Sequence, residues 1–220
     1  MMDERAAGGV PYLFLGAVSA LCGAEDDVVL PLDGERHDWE VELAAVIGRP
    51  GRHVPEDRAG AHIAGYTIVN DLSTRDRLYR GDLGPIGVDW LSSKAAPTFL
   101  PTGPVIVPAA FVPDVRALRI RLELNGRAMQ DESVEDIIFG PERLVAYATS
   151  RVRLLAGDLL PTGSPAGNGQ HWGRFLRDGD VMVAEISGLG RQRNRCVAET
   201  LPAGVTAFPT AAAQWKGARP

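Results

Sequence analysis

The sequence predicts a β-rich α+β fold with few short helices. Three observations carry that expectation. Glycine and proline, 25 and 16 residues of 220, cut the chain into segments too short for a helical bundle. Several of those segments are rich in Val, Ile and Leu, and some alternate with a period of two. Only one stretch keeps a helical period over three turns.

The elements follow in order. Residues 28–31 read as a short strand after the acidic turn Glu25-Asp-Asp27. Residues 38–47 read as one long strand, stopped by Gly48 and Pro50. Residues 55–59 make a helical turn at best. Residues 63–71 form a second long strand, and Ser73 is placed to cap a helix over 74–78. Residues 83–104 are irregular and rich in Gly and Pro, the composition of a lid or pocket wall, with Trp90 and Lys94 as large side chains. Residues 118–124 alternate cleanly, and Asn125-Gly126 is a strong hairpin signal. Residues 141–155 form the helix: Pro141 suits its first turn, Leu144, Val145, Ala148 and Val152 make its apolar stripe, and Gly157 ends it. Residues 158–169 run from a strand into a glycine-rich loop. Residues 179–186 and 191–197 form a last hairpin around Ser187-Gly-Leu-Gly190. The expected organisation is a short N-terminal segment (1–11), one domain (12–200) and a patternless C-terminal tail (201–220).

Composition narrows the function classes. A net charge of −5 without a basic cluster speaks against a nucleic-acid partner. The apolar runs are too short to span a bilayer, so no membrane association is expected. The start, Met1-Met-Asp-Glu-Arg, is acidic and lacks a signal-peptide core, which predicts a cytoplasmic protein. Cys22 and Cys196, without CxxC spacing, read as free thiols.

The segment Asp38-Trp-Glu-Val-Glu-Leu-Ala-Ala-Val-Ile-Gly48 carries the chemistry. Side chains two apart in a strand share a face, so Glu40 and Glu42 point the same way, toward Ala44 and Val46. Like charges side by side repel unless water or a cation separates them. Two readings stand together: a strand end open to water, and half of an oxygen-ligand metal site. None of His37, His53, His62 and His171 has metal-ligand spacing with another histidine. His171, beside Trp172 after the glycine-rich loop, is the candidate worth testing.

Five collinear segments resemble the fumarylacetoacetate hydrolase family. They are the strand just quoted; Gly65-Tyr-Thr-Ile-Val-Asn-Asp-Leu-Ser-Thr-Arg-Asp76; Lys94 with Thr98-Phe99 and Pro101-Thr-Gly-Pro104; Leu124-Asn-Gly126 with Gln130-Asp131; and Gly157-Asp-Leu-Leu-Pro-Thr-Gly-Ser-Pro-Ala-Gly-Asn-Gly169, followed by Gly179-Asp180, Gly188-Leu-Gly190 and Asn194. The resemblance implies a mixed β-sandwich roll, commonly a homodimer. It implies that Glu40, Glu42 and Asp71 bind Mg²⁺ or Mn²⁺, which an all-oxygen carboxylate shell suits. It implies a small 2-oxo acid or β-dicarbonyl substrate and C–C bond cleavage through a metal-stabilised enolate. Lys94 is then a proton shuttle with a lowered pKa, where the residues alone would give a surface lysine. Thr162 and Gly163 hold the substrate carboxylate, where the bland alternative is an ordinary turn. Arg75 contacts substrate or orients Asp71, with Asp76 behind it. The alternative for that pair is a helix-surface ion pair.

The sequence also departs from the family pattern. The His-x-x-Glu pair that activates water in hydrolase and decarboxylase members is missing from the N-terminal segment, where Glu4 stands without a histidine. Gly16 replaces a usual lysine, and Pro97 a usual aspartate. A positioned general base contributes about 10²–10⁴ in rate, so its loss predicts slow hydrolysis. An isomerase, decarboxylase or cyclase working through the same enolate, or a non-catalytic relative, is the alternative expectation.

Overall fold

The computed structural model describes residues 9–206. Most of the expected N-terminal segment, with Glu4, and the tail from residue 207 onward lie outside the described residues. The strands are β1 (Leu21–Gly23), β2 (Val28–Leu30), β3 (His37–Asp38), β4 (Val41–Ile47), β5 (Ile63–Asn70), β6 (Ser73–Thr74), β7 (Leu100–Thr102), β8 (Val107–Pro108), β9 (Arg119–Leu124), β10 (Arg127–Ser133), β11 (Leu159–Pro161), β12 (Val181–Ile186) and β13 (Gly190–Ala198). The α-helices are α1 (Glu56–Ala59), α2 (Arg75–Leu78), α3 (Trp90–Lys94), α4 (Pro141–Arg151) and α5 (Gly169–Trp172). Among the described residues no helix is long and apolar enough to cross a membrane.

One sheet runs β1-β7-β5-β4-β11 with β8 added to β5, and a second runs β10-β9-β12-β13-β2. Strands β4 and β5 pack against β9, β12 and β13, so the two sheets close on a shared core. Val41, Leu43, Ala45 and Ile47 point into it with Ile68, Leu122, Met182 and Ile186. Every residue of β4 is buried, including the opposite face of Glu42, Ala44 and Val46. A strand covered on both sides reads as an almost continuous apolar run, and a carboxylate in it requires a specific partner.

Four local expectations change. The single strand over 38–47 is broken at Trp39 and Glu40, so β3 pairs with β6 while β4 pairs with β5. Ser73 does not cap a helix: it lies in β6, and α2 starts after Thr74 without a side-chain cap. The long helix stops at Arg151, and Val152 is 42 % exposed instead of completing the apolar stripe. The irregular stretch 83–104 contains α3, whose N-cap Asp89 accepts the Ser92 N–H. The Asn125-Gly126 hairpin forms as expected, with φ of +53° and +80° at the two residues and β9 and β10 on either side.

Candidate metal centre

The antiparallel register of β4 and β5 places the acidic residues. Val41 pairs with Asn70 and Glu42 with Val69, and the Asp71 N–H donates to the Glu40 carbonyl at 2.9 Å. Asp71 therefore follows the strand end directly across from Glu40. Cross-strand neighbours on one face stand about 5 Å apart at Cβ, within reach of one shared cation.

In this structure the cation between Glu40 and Asp71 is the Lys94 ammonium. Nζ donates to Glu40 Oε2 at 2.8 Å, to Asp71 Oδ2 at 2.6 Å and to the Asp71 carbonyl at 2.7 Å, which satisfies all three of its protons. The lysine is buried at the end of α3, so the reading of a surface lysine is wrong. Glu40 also accepts the Ser73 hydroxyl at 3.0 Å and Arg75 Nη2 at 2.6 Å. Arg75 Nε reaches Asp38 Oδ2 at 2.9 Å. Glu42 stands deeper, 5 % exposed, and accepts the Gly163 N–H at 2.7 Å.

The charges do not balance. Among the described residues Asp38, Glu40, Glu42 and Asp71 face only Lys94 and Arg75, which leaves two uncompensated negative charges when all are ionised. Burial, followed by Asp71, pushes the Glu42 carboxyl well above the usual carboxylate range. Burial raises Asp71 as well, against the pull of Lys94. Burial works in the same direction on Glu40, but Lys94 and Arg75 outweigh it and hold that carboxyl low. For Lys94, burial acts to lower the pKa, yet Asp71, Glu40 and Glu42 together raise it. In the metal-free cluster three acids outweigh the dry surroundings, whereas the expected lowering is that of a lysine beside a bound metal.

The donor set fits a hard divalent ion, since three neighbouring carboxylates with a deficit of two positive charges are what Mg²⁺ or Mn²⁺ binds. The expected convergence is only partly present. Among the described residues no three His, Cys, Asp or Glu side chains gather closely enough to hold a metal as they stand. Glu40 and Asp71 meet on Lys94, while Glu42 is turned to Gly163.

The remaining expected residues divide. Thr162 donates its hydroxyl to the Leu43 carbonyl at 2.9 Å, and the Gly163 amide is engaged with Glu42, so both donors are turned onto β4. Arg75 orients Glu40 instead of Asp71. Asp76 points away, accepting the N–H groups of Glu35 and Arg36 at 3.0 and 3.2 Å. His171 is exposed on α5 and packs edge-on against Trp172. His37 is buried beside Thr74, and burial pulls its pKa below 6.5. Sequence reasoning missed two features. Asp38 is fully buried, and a charge just before a buried tryptophan was its only signal. Phe14 stacks on Trp90 at 4.5 Å and lies 5.6 Å from Lys94 Nζ, with Trp90 and Lys94 one helical turn apart on α3.

The fold is thus a pair of mixed sheets closed on an apolar core, with a buried carboxylate–lysine cluster gathered where β4 begins and β5 ends. The sequence matches the fumarylacetoacetate (FAA) hydrolase C-terminal family over residues 2–197, and the chain belongs to that family. It is similar to the mitochondrial oxaloacetate tautomerase FAHD2A of Bos taurus, 37% identical over 85% of this chain and 59% of the relative. It is also similar to the 2,4-didehydro-3-deoxy-L-rhamnonate hydrolase of Sphingomonas sp. (strain SKA58), 39% identical over 84% of this chain and 64% of the relative. Among solved structures it resembles fumarylpyruvate hydrolase from Pseudomonas aeruginosa in complex with Mn²⁺ and pyruvate, with a TM-score of 0.77 and 27% identity over 87% of this chain and 81% of that one. The chain spans about three-fifths of the length of the curated relatives it matches. The relatives are enzymes, and the mixed sheets with few short helices agree with the β-rich α+β expectation.

Proposed function

We propose that this chain carries a divalent-metal-dependent site that holds a small 2-oxo acid or β-dicarbonyl and moves a proton through its enolate. The carrying observation is the buried group of Glu40, Glu42, Asp71 and Lys94, two positive charges short of neutrality. An ion bound by the three carboxylates supplies a Lewis acid for the substrate's carbonyl. The chain's own residues do the rest. Arg75 fixes the orientation of Glu40, the Gly163 amide steadies Glu42, and Lys94 Nζ holds a proton at the edge of the cluster. The Phe14 ring lies 5.6 Å from that ammonium, an apolar neighbour beside the cluster. Proton transfer between a carbon beside a carbonyl and the carbonyl oxygen needs an enolate-stabilising ion and one group that takes up the proton and returns it, and no attacking water. The four histidines offer no base to the cluster: none hydrogen-bonds to its carboxylates or to Lys94. The relative named as an oxaloacetate tautomerase supports this reading, and the neighbour holding Mn²⁺ and pyruvate supports both the metal and the substrate class.

C–C bond cleavage, the family expectation, is the second reading, favoured by the likeness to a hydrolase. Nuclear magnetic resonance in heavy water with Mg²⁺ separates the two. Exchange next to the carbonyl of oxaloacetate without fragments supports tautomerisation, and fragments support cleavage. Absence of both, with no rise in melting temperature on adding Mn²⁺, would leave a non-catalytic relative. Either activity should vanish in Asp71→Ala. The proposal extends to a homodimer in the cytoplasm, which light scattering and cell fractionation test.

A further inference from the structure

We infer that Asp38 is a positioning residue that couples the glycine-rich segment 163–170 to the proposed metal carboxylate Glu40. This rests on the metal-dependent reading above. Asp38 is fully buried and accepts from three donors. The Gly169 N–H reaches Oδ1 at 2.5 Å, the Gln170 N–H reaches Oδ2 at 3.1 Å, and Arg75 Nε reaches Oδ2 at 2.9 Å. The same guanidinium continues to Glu40 Oε1 at 2.6 Å. At the other end of the segment the Gly163 N–H holds Glu42 at 2.7 Å, and between them the Gly167 carbonyl accepts Trp39 Nε1 at 3.0 Å. One segment thus grips both neighbouring glutamates, Glu42 directly and Glu40 through Asp38 and Arg75. A shift of residues 168–170 cannot leave Glu40 where it is without breaking one of these bonds.

The chemistry explains why an acid stands at this position. All three groups around Asp38 are donors, so only an acceptor-only side chain satisfies them. An asparagine would set its NH₂ against either the Gly169 amide or the Arg75–Gln170 pair. A glycine at 169 is equally required, because a methyl there would press on Asp38 Oδ1 and on the Arg174 carbonyl. Sequence alone gives Asp38 no such role, since its partners come from two distant parts of the chain, Arg75 and residues 169–170.

Calorimetric titration with Mn²⁺ alone tests the coupling in wild type, Asp38→Asn, Gly169→Ala, Arg75→Lys and the Asp38→Asn/Arg75→Lys double variant. Asp38→Asn, folded by circular dichroism, should bind Mn²⁺ about tenfold more weakly, the cost of losing a group that orients a ligand. Asp38→Asn and Arg75→Lys should be non-additive, because they cut one chain of contacts; independent structural damage would add. Wild-type affinity in folded Asp38→Asn, or strict additivity, overturns the inference. Where Asp38→Asn does not fold, Gly169→Ala reaches the same carboxylate from the segment's side and must weaken Mn²⁺ comparably, or the inference falls. Mn²⁺ binding that is lost in Glu42→Gln but intact in Asp38→Asn removes this coupling alone. Failure of the wild type to bind Mn²⁺ removes the metal-dependent reading as well.

Discussion

Lys94 shows how one side chain can stand in for a metal's charge. Its ammonium joins Glu40 and Asp71 in a site where the side chains are 6 % and 14 % exposed. Removing one member of so enclosed an ion pair leaves uncompensated charge, which costs about 3 kcal/mol or more. Lys94→Met keeps the length of the stem and deletes the charge. It should therefore lower the unfolding free energy by about 3 kcal/mol in chelator, measured by urea denaturation. Added Mn²⁺ should recover part of that loss, because the ion offers the carboxylates what the ammonium gave them. An apo variant as stable as wild type would mean that Glu40 and Asp71 are solvated or protonated in solution, and the buried cluster would not exist as described. The raised lysine pKa belongs to the same balance: three acids act on one base, and local dryness cannot lower it.

At the scale of elements, what the sequence concealed were contacts between segments far apart in the chain. The β-rich class, the Asn125-Gly126 hairpin, α4 and the two long strand regions follow from local period and turn chemistry, and all are present. Of the three acids that the resemblance implies as ligands, the β4–β5 register brings Glu40 and Asp71 together on Lys94, while Glu42 turns to Gly163. Ser73 looks like a cap by residue type, yet its hydroxyl is taken by Glu40, thirty-three residues away. The broken strand at Trp39 and Glu40 is invisible in a period-two pattern, because the break arises from β6 pairing with β3. Lys94 sits in a stretch too short and too glycine-rich to announce α3. The glycine-rich segment shows the same limit: its composition reads as a turn, while its purpose is close approach. Gly167, at φ +95°, lies where any Cβ would collide with the Met129 carbonyl, and its own carbonyl accepts both Trp39 Nε1 and Trp172 Nε1 at 3.0 Å. Gly167→Ala should thus lower stability by about 2 kcal/mol in chemical denaturation. Mn²⁺ affinity should fall with it, since Gly163 and Gly169 flank the displaced residue. A neutral effect would show that the segment adapts freely and holds neither glutamate in place.

For the whole molecule, the excess of buried acid ties stability, metal and pH together. Glu42 and Asp71 both ionise less readily folded than unfolded, where values of 4.5 and 3.8 apply. Between those ordinary values and the raised folded ones, the native state holds more protons than the unfolded chain. The pH slope of unfolding free energy follows the unfolded-minus-folded difference in bound protons, so it is negative in that window. These two groups therefore contribute stability below the ordinary carboxylate range and lose it as pH rises through their folded pKa values. A divalent ion reverses the balance, because it binds the ionised carboxylates and releases their protons. Its gain in stability grows with affinity, about 2.7 kcal/mol at a hundredfold excess over Kd. The melting-temperature rise caused by a fixed Mn²⁺ concentration should consequently increase with pH across the window, then level off once Glu42 is ionised without help. Glu42→Gln should flatten that dependence and shrink the rise itself, while slightly stabilising the metal-free protein at the upper end of the window. A rise of equal size at every pH, unchanged in Glu42→Gln, would place the ion elsewhere and separate the acidic cluster from the chemistry proposed for it.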